Sequence, residues 1–152
     1  MSRGPQPYKP RPRRGTPPVP EGHAYCPACK QVLNLDSFHK LASARSGRQN
    51  YCIECKREKH LSSRYGITAE QYERLLHNQS GRCAICRNLP RTQLLAVDHN
   101  HKTGEVRGLL CRICNQKLLG AAFDQPHRLF EAGLYLLNPP ARKVLGEPEE
   151  LA

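Results

Sequence analysis

Between two cysteine pairs lies Leu94-Leu95-Ala96-Val97-Asp98-His99-Asn100-His101-Lys102-Thr103-Gly104, and Asn115 directly follows the last cysteine of the chain. An Asp-His pair ending an apolar stretch is, taken alone, more often a pair of loop polars than a catalyst. The framing changes that reading. An apolar strand, Asp-His, a turn, a returning strand and a helical run follow in order, and folding them as a hairpin on a helix brings Asn115 close to Asp98 and His99. Asp98 and Asn115 then offer the hard oxygens that Mg²⁺ (or Mn²⁺) prefers, with positions left for water and phosphate. A neutral His99 beside them can take a proton from water. Those parts suffice for phosphodiester hydrolysis.

All eight cysteines fall into Cys-x-x-Cys pairs: Cys26/Cys29, Cys52/Cys55, Cys83/Cys86 and Cys111/Cys114. Two intervening residues let a tight knuckle present both sulfurs to one ion, and two knuckles complete a tetrahedral four-thiolate zinc site. The inner spacing is 22 residues in the first half and 24 in the second, so the simplest pairing makes two zinc sites, one per half. Such ions have no open coordination position and are structural. The N-terminus Met1-Ser2-Arg3-Gly4-Pro5 offers no signal peptide and no later run approaches a membrane span. A reducing cytoplasm is therefore expected, where zinc is the better reading than a disulfide framework.

The elements that must position these residues read from the spacing. Residues 1–20 carry seven prolines, four arginines and Lys9 with no acidic residue, the composition of a disordered basic arm. Gln31 to Leu35 is strand-like. A basic helix from Ile53 to Arg64 stops at Gly66, carrying Lys56, Arg57, Lys59, His60 and Arg64. Thr68 and Gln71 have capping-box spacing, opening a helix with Tyr72, Leu75 and Leu76 on one face. Leu94 to Asp98 and Val106 to Leu110 read as strands around a turn at Lys102-Thr103-Gly104-Glu105, then Cys111 to Leu119 as a helix stopping at Gly120. Asp124 reads as the N-cap of a last amphipathic helix to about Leu137, with Leu129, Phe130, Gly133, Leu134 and Leu137 along it.

The predicted architecture is a small, metal-stabilised α+β fold. Its segments are a basic arm at 1–22, a zinc module plus basic helix at 23–65, a catalytic core at 66–122, an amphipathic helix at 123–138 and a tail at 139–152. A chain 38% apolar and 6% aromatic, without Trp, buries little and needs metals to supplement its core. The net charge of +11 points to a polyanionic partner, of which nucleic acid is the commonest.

Cys83-Ala84-Ile85-Cys86, Val97 through Gly104, and Val106-Arg107-Gly108-Leu109-Leu110-Cys111-Arg112-Ile113-Cys114-Asn115 resemble the phage recombination endonuclease VII family, which belongs to the His-Me finger, or HNH-like, nucleases. Tyr65-Gly66-Ile67-Thr68 through Gln79-Ser80-Gly81-Arg82 is similar too, so the resemblance covers about 65–122. The Cys26–Cys55 module more loosely resembles a zinc-ribbon-like extension of small phage members. The resemblance implies a ββα-metal core in which Asp98 and Asn115 hold the catalytic ion, His99 is the general base and His101 helps position the phosphate or the base. It implies in-line attack by water, leaving 5′-phosphate and 3′-hydroxyl ends. Arg107 and Arg112 are candidate phosphate contacts from charge and position. The founding type has a longer helical region after the motif, for dimerisation and for gripping branched DNA. Here about one amphipathic helix follows Gly120, which leaves cutting of Holliday junctions, and a dimer, as open questions.

A metal-dependent DNA endonuclease is thus the leading expectation, acting on branched DNA or as a phage nicking or packaging nuclease. The alternative is a non-catalytic double zinc-ribbon protein that grips nucleic acid. The Asp98, His99 and Asn115 set separates the two, because Lys and Arg suffice for phosphate contact. A protein-interaction zinc module ranks third, since it leaves the charge unused.

Overall fold

A computed structural model describes residues 17–44, 46–90 and 94–146. Most of the expected basic arm and the tip of the tail lie outside these. The chain divides into two compact units that meet between Gln71 and Tyr72. Among the described residues no helix is long and apolar enough to cross a membrane.

In the first unit, β1 (His23–Cys26) pairs antiparallel with β2 (Gln31–Asn34), from His23 opposite Asn34 to Cys26 opposite Gln31. β2 ends one residue before the expected Leu35, which instead opens a 3-10 turn capped by the Asn34 side chain on the Asp36 N–H at 3.0 Å. Helix α1 (Ile53–Tyr65) ends at Gly66 in the left-handed conformation (φ 69°), a position that a residue without Cβ adopts at no cost. The small core here is Cys26, Phe38 and Cys52, with Leu33 and the other two cysteines packed against it. Sulfurs and one phenyl ring do the work of a larger apolar interior.

Helix α2 (Ala69–Asn78) opens with the expected capping box: Gln71 Oε1 accepts from the Thr68 N–H at 2.8 Å, and Thr68 Oγ1 from the Gln71 N–H at 3.1 Å. In the second unit the hairpin pairs β3 (Ala96–His99) with β4 (Val106–Leu110). β3 starts two residues later than the spacing indicated, and Leu94 stays 70% exposed, because only from Leu95 onward does the chain meet the interior. Leu95, Val97, Leu109, Leu110, Cys83 and Cys114 are buried, as is Tyr72, whose hydroxyl donates to the Leu95 carbonyl at 2.7 Å.

Gln79, one residue past α2, does something periodicity does not reveal. Its side-chain amide serves Leu109 of β4 as a neighbouring strand would, accepting from the Leu109 N–H and donating to the Leu109 carbonyl, both at 2.8 Å. It donates to the Arg82 carbonyl as well, at 2.8 Å. Gln79→Ala should leave the Leu109 N–H buried without a partner and cost about 1–3 kcal/mol of stability. A thermal melt unchanged from wild type would show that the clamp carries no load.

Helix α3 (Ile113–Leu119) has the wider π-type turn, and the chain stays helical through Gly120 (φ −60°) instead of stopping there. The reversal comes later, at Phe123 and Asp124, both at positive φ (53° and 55°). Helix α4 (Pro126–Leu137) is preceded by Gln125, and no side chain caps it, so Asp124 is not its N-cap. Its carboxylate is engaged elsewhere. None of the residues of α4 is buried, with Phe130, Tyr135, Leu136 and Leu137 at least 60% exposed. A one-turn helix, α5 (Arg142–Leu145), follows it.

Candidate metal centres and active-site cleft

The four cysteine pairs assemble as two four-sulfur clusters, Cys26/Cys29/Cys52/Cys55 and Cys83/Cys86/Cys111/Cys114, with the sulfurs of each within 4.8 Å of one another. Both are built alike. The first pair sits on a tight turn whose next residue is left-handed, Lys30 (φ 57°) in one and Arg87 (φ 61°) in the other. The second pair lies where a helix begins, with the Cys55 N–H donating to Cys52 Sγ at 3.4 Å and the Cys114 N–H to Cys111 Sγ at 3.5 Å. Cys86 and Cys111 sulfurs are 3.8 Å apart. Zinc–sulfur bonds near 2.3 Å at tetrahedral angles require a sulfur separation of about 3.8 Å, so the set fits one zinc ion.

The electrostatics are those of a cation site. Burial alone would push the Cys26 thiol up, but the backbone N–H groups of Cys52, Cys29 and Ala28, with the Cys29 thiol, outweigh it and bring it down to about 6. At Cys83 burial is likewise overcome by the N–H groups of Cys111, Cys86 and Ile85, again giving about 6. The sulfur crowding has the opposite effect on their neighbours. The Cys52 thiol first, then burial and the other sulfurs, push Cys55 up to about 12. Burial, then the other three sulfurs, do the same to Cys114. A dication would remove that opposition.

An open cleft of about 600 Å³ runs along the hairpin and α3. Asp98, Asn100, His101 and Lys102 come to it from β3 and the turn, Arg107 from β4, and Asn115 from α3. Asn100 sets the turn, its Oδ1 accepting from the Lys102 and Thr103 N–H groups at 2.8 and 3.3 Å. Asp98 is 6% exposed and is the one buried charged residue among those described. Its two oxygens accept from Arg107 Nε and Nη2, each at 2.8 Å.

The hairpin register explains how Arg107 reaches it. Asp98 faces Gly108, but His99 faces Val106, so the ladder slips between them and Arg107 has no residue opposite. In an unbroken ladder Arg107 would point to the face opposite Asp98; a bulge turns its side chain to the same face. Arg107 Nη2 also donates to Asp124 Oδ1 at 2.9 Å, and these two carboxylates raise the guanidinium further above its ordinary range. His101 Nε2 lies 3.9 Å from Asp124 Oδ2.

Of the residues singled out from sequence, Asp98, Asn115, His101 and Arg107 are therefore brought to one cleft. His99 is half-buried and not in the lining, its ring 4.7 Å from that of His101. Arg112, the residue before α3, is exposed and donates to Gln116 Oε1 at 3.0 Å, outside the lining. Arg107 is committed to two carboxylates. Asp124 escaped the sequence reading because its place depends on two successive left-handed residues, a strained conformation that no spacing announces. Asp98 and Asn115 supply hard oxygens to one cleft where the fold already gathers a cation, so the donors present suit a divalent ion.

Residues 58–138 match the model of the recombination endonuclease VII family. The chain is 48% identical over 91 residues to the Gene 59 protein of Mycobacterium phage D29, and 47% identical over 91 residues to that of Mycobacterium phage L5. Each match covers 59% of this chain and 55% or 56% of the relative, so the chain spans about half the length of these relatives. Among solved structures it is similar to the beta-beta-alpha-Me type II restriction endonuclease Hpy99I, with 25% identity over 76% of this chain and 65% of that one. The TM-score of 0.34 is too loose a superposition to bear on the fold. The family match reaches beyond the expected 65–122 in both directions, taking in the end of α1 and all of α4, while the first cysteine cluster falls outside it. With more than half of its residues in that match, the chain belongs to the recombination endonuclease VII family.

Proposed function

We propose that the protein is a metal-dependent DNA endonuclease with a ββα-metal core, braced by two structural zinc ions, that leaves 5′-phosphate and 3′-hydroxyl ends. The observation that carries this reading is the convergence of Asp98, Asn115, His101 and Arg107 on one cleft within the family-matched region. In it, Asp98 and Asn115 hold a Mg²⁺ or Mn²⁺ ion. Bound there, the ion supplies charge stabilisation for the phosphate and for the departing 3′-oxygen. His99 accepts the proton of the attacking water on an imidazole nitrogen. His101 and Lys102, exposed on the turn, meet the phosphate from the open side. The basic residues of α1 offer further phosphate contacts along the duplex.

A non-catalytic zinc-ribbon binder has no use for a buried carboxylate beside an amide at a cleft, which ranks that alternative second. The test is the chemistry of the ends. Duplex DNA incubated with the protein and Mg²⁺ should yield fragments that a DNA ligase rejoins without prior phosphorylation. Products that need a kinase first, or a phosphatase to free a 3′ end, would mean that the P–O5′ bond breaks with the 5′-oxygen leaving, and would contradict the reading.

A further inference from the structure

Arg107 holds both oxygens of the buried Asp98 carboxylate, the place a divalent ion would also need. Leaving that carboxylate without a counter-charge would be costly at its depth. The guanidinium has a second anchor, Asp124, on the same Nη2 that bonds Asp98 Oδ1. Burial differs across the trio: the side chain of Asp98 is 8% exposed, those of Asp124 and Arg107 27% and 35%. Asp98 is enclosed by its surroundings, whereas Arg107 and Asp124 border solvent.

We propose that Arg107 is a resident cation of the ion site, neutralising Asp98 in the metal-free chain and passing to Asp124 when a divalent ion takes Asp98, so that it stays on the cleft wall as an anchor for a DNA phosphate. The role rests on the nuclease reading above and makes Arg107 a phosphate-binding residue, with Asp124 positioning it. Arginine suits it, since its planar fork spans two acceptors at once and keeps its charge at any working pH. The bulge that turns Arg107 toward Asp98 gives the placement a backbone cause.

The test is Mn²⁺ binding to the zinc-loaded protein, followed by the electron paramagnetic resonance of free Mn²⁺, together with DNA affinity measured at saturating Mn²⁺ in a His99→Ala background, where cutting is slow. Arg107→Gln should bind Mn²⁺ more tightly, on the order of twofold to fivefold for loss of one partly exposed competing ion pair, while binding DNA more weakly. Asp124→Asn should bind Mn²⁺ more weakly, because the guanidinium is then left with Asp98 alone. A weakening of Mn²⁺ binding by Asp124→Asn that disappears in the Arg107→Gln background is what a general change of charge would not give. Ion binding unchanged or weakened in Arg107→Gln overturns the inference. If that variant fails to fold, Asp124→Asn decides, and unchanged or tighter Mn²⁺ binding there overturns it. A wild-type protein that binds no Mn²⁺ beyond its zinc sites and cuts no DNA removes the nuclease reading and this inference with it. Wild-type cutting beside a failed variant result removes the inference alone.

Discussion

Cys83→Ser is expected to empty the second zinc site and unfold the hairpin unit while the first cluster keeps its metal. Cys83 is fully buried, and three backbone N–H groups hold its thiol down to about 6 against the effect of burial. Its thiol is thus readied to bind a cation, and serine cannot replace it as a soft ligand. The apolar core around it is a handful of side chains: Tyr72, Leu95, Val97, Leu109, Leu110 and Ala122. A structural zinc site contributes about 10–16 kcal/mol in small metal-folded domains, against a total stability of about 5–15 kcal/mol for an ordinary domain. Losing it removes more than such a core can make up. Elemental analysis should fall from two zinc ions per chain to one, and the amide resonances of the hairpin should collapse to random-coil positions. Two retained zinc ions with an unchanged spectrum would mean the cluster is not a metal site that holds the fold.

The second large effect is expected at His99. Replacing it by alanine should slow cleavage by about 10²–10⁴-fold, the usual size of losing a general base. The fold should be spared, since His99 is no member of either sulfur cluster and is only half-buried at the end of β3. DNA affinity should be spared as well, because the charged groups at the cleft, Lys102 and Arg107, remain. The His101 ring, 4.7 Å away and in the cleft lining, makes the experiment informative in both directions. Near-wild-type cutting in His99→Ala would remove His99 from that role and direct attention to His101→Ala.

What the sequence disclosed was whatever depends on local pattern. The cysteine spacing gave both clusters, Thr68 and Gln71 gave the start of α2, and Gly66 gave the end of α1. Val106 to Leu110 was legible as a strand to the residue, because it follows directly on the turn at Lys102-Thr103-Gly104-Glu105 and ends at the cysteine knuckle. Three features of the second unit were not legible, each for a physical reason. The bulge that turns Arg107 onto Asp98 breaks the very periodicity by which strands are read. Asp124 looked like a helix cap because its residue type suits one, yet its backbone is left-handed and Gln125 takes the cap position. Gln79 bonds Leu109, thirty residues on, and a side chain that completes a distant strand edge leaves no local trace. Short-range signals gave the elements, while the residues that tune the cleft depend on long-range contacts.

The most direct test is to incubate the zinc-loaded protein with a supercoiled plasmid and with a synthetic four-way junction, with and without Mg²⁺, beside His99→Ala. The account predicts cutting that requires Mg²⁺ and is lost in the variant, with the faster of the two substrates showing whether branched DNA is preferred. Binding to both DNAs without cutting under Mg²⁺ or Mn²⁺ would contradict it and leave a zinc-braced nucleic-acid binder in its place.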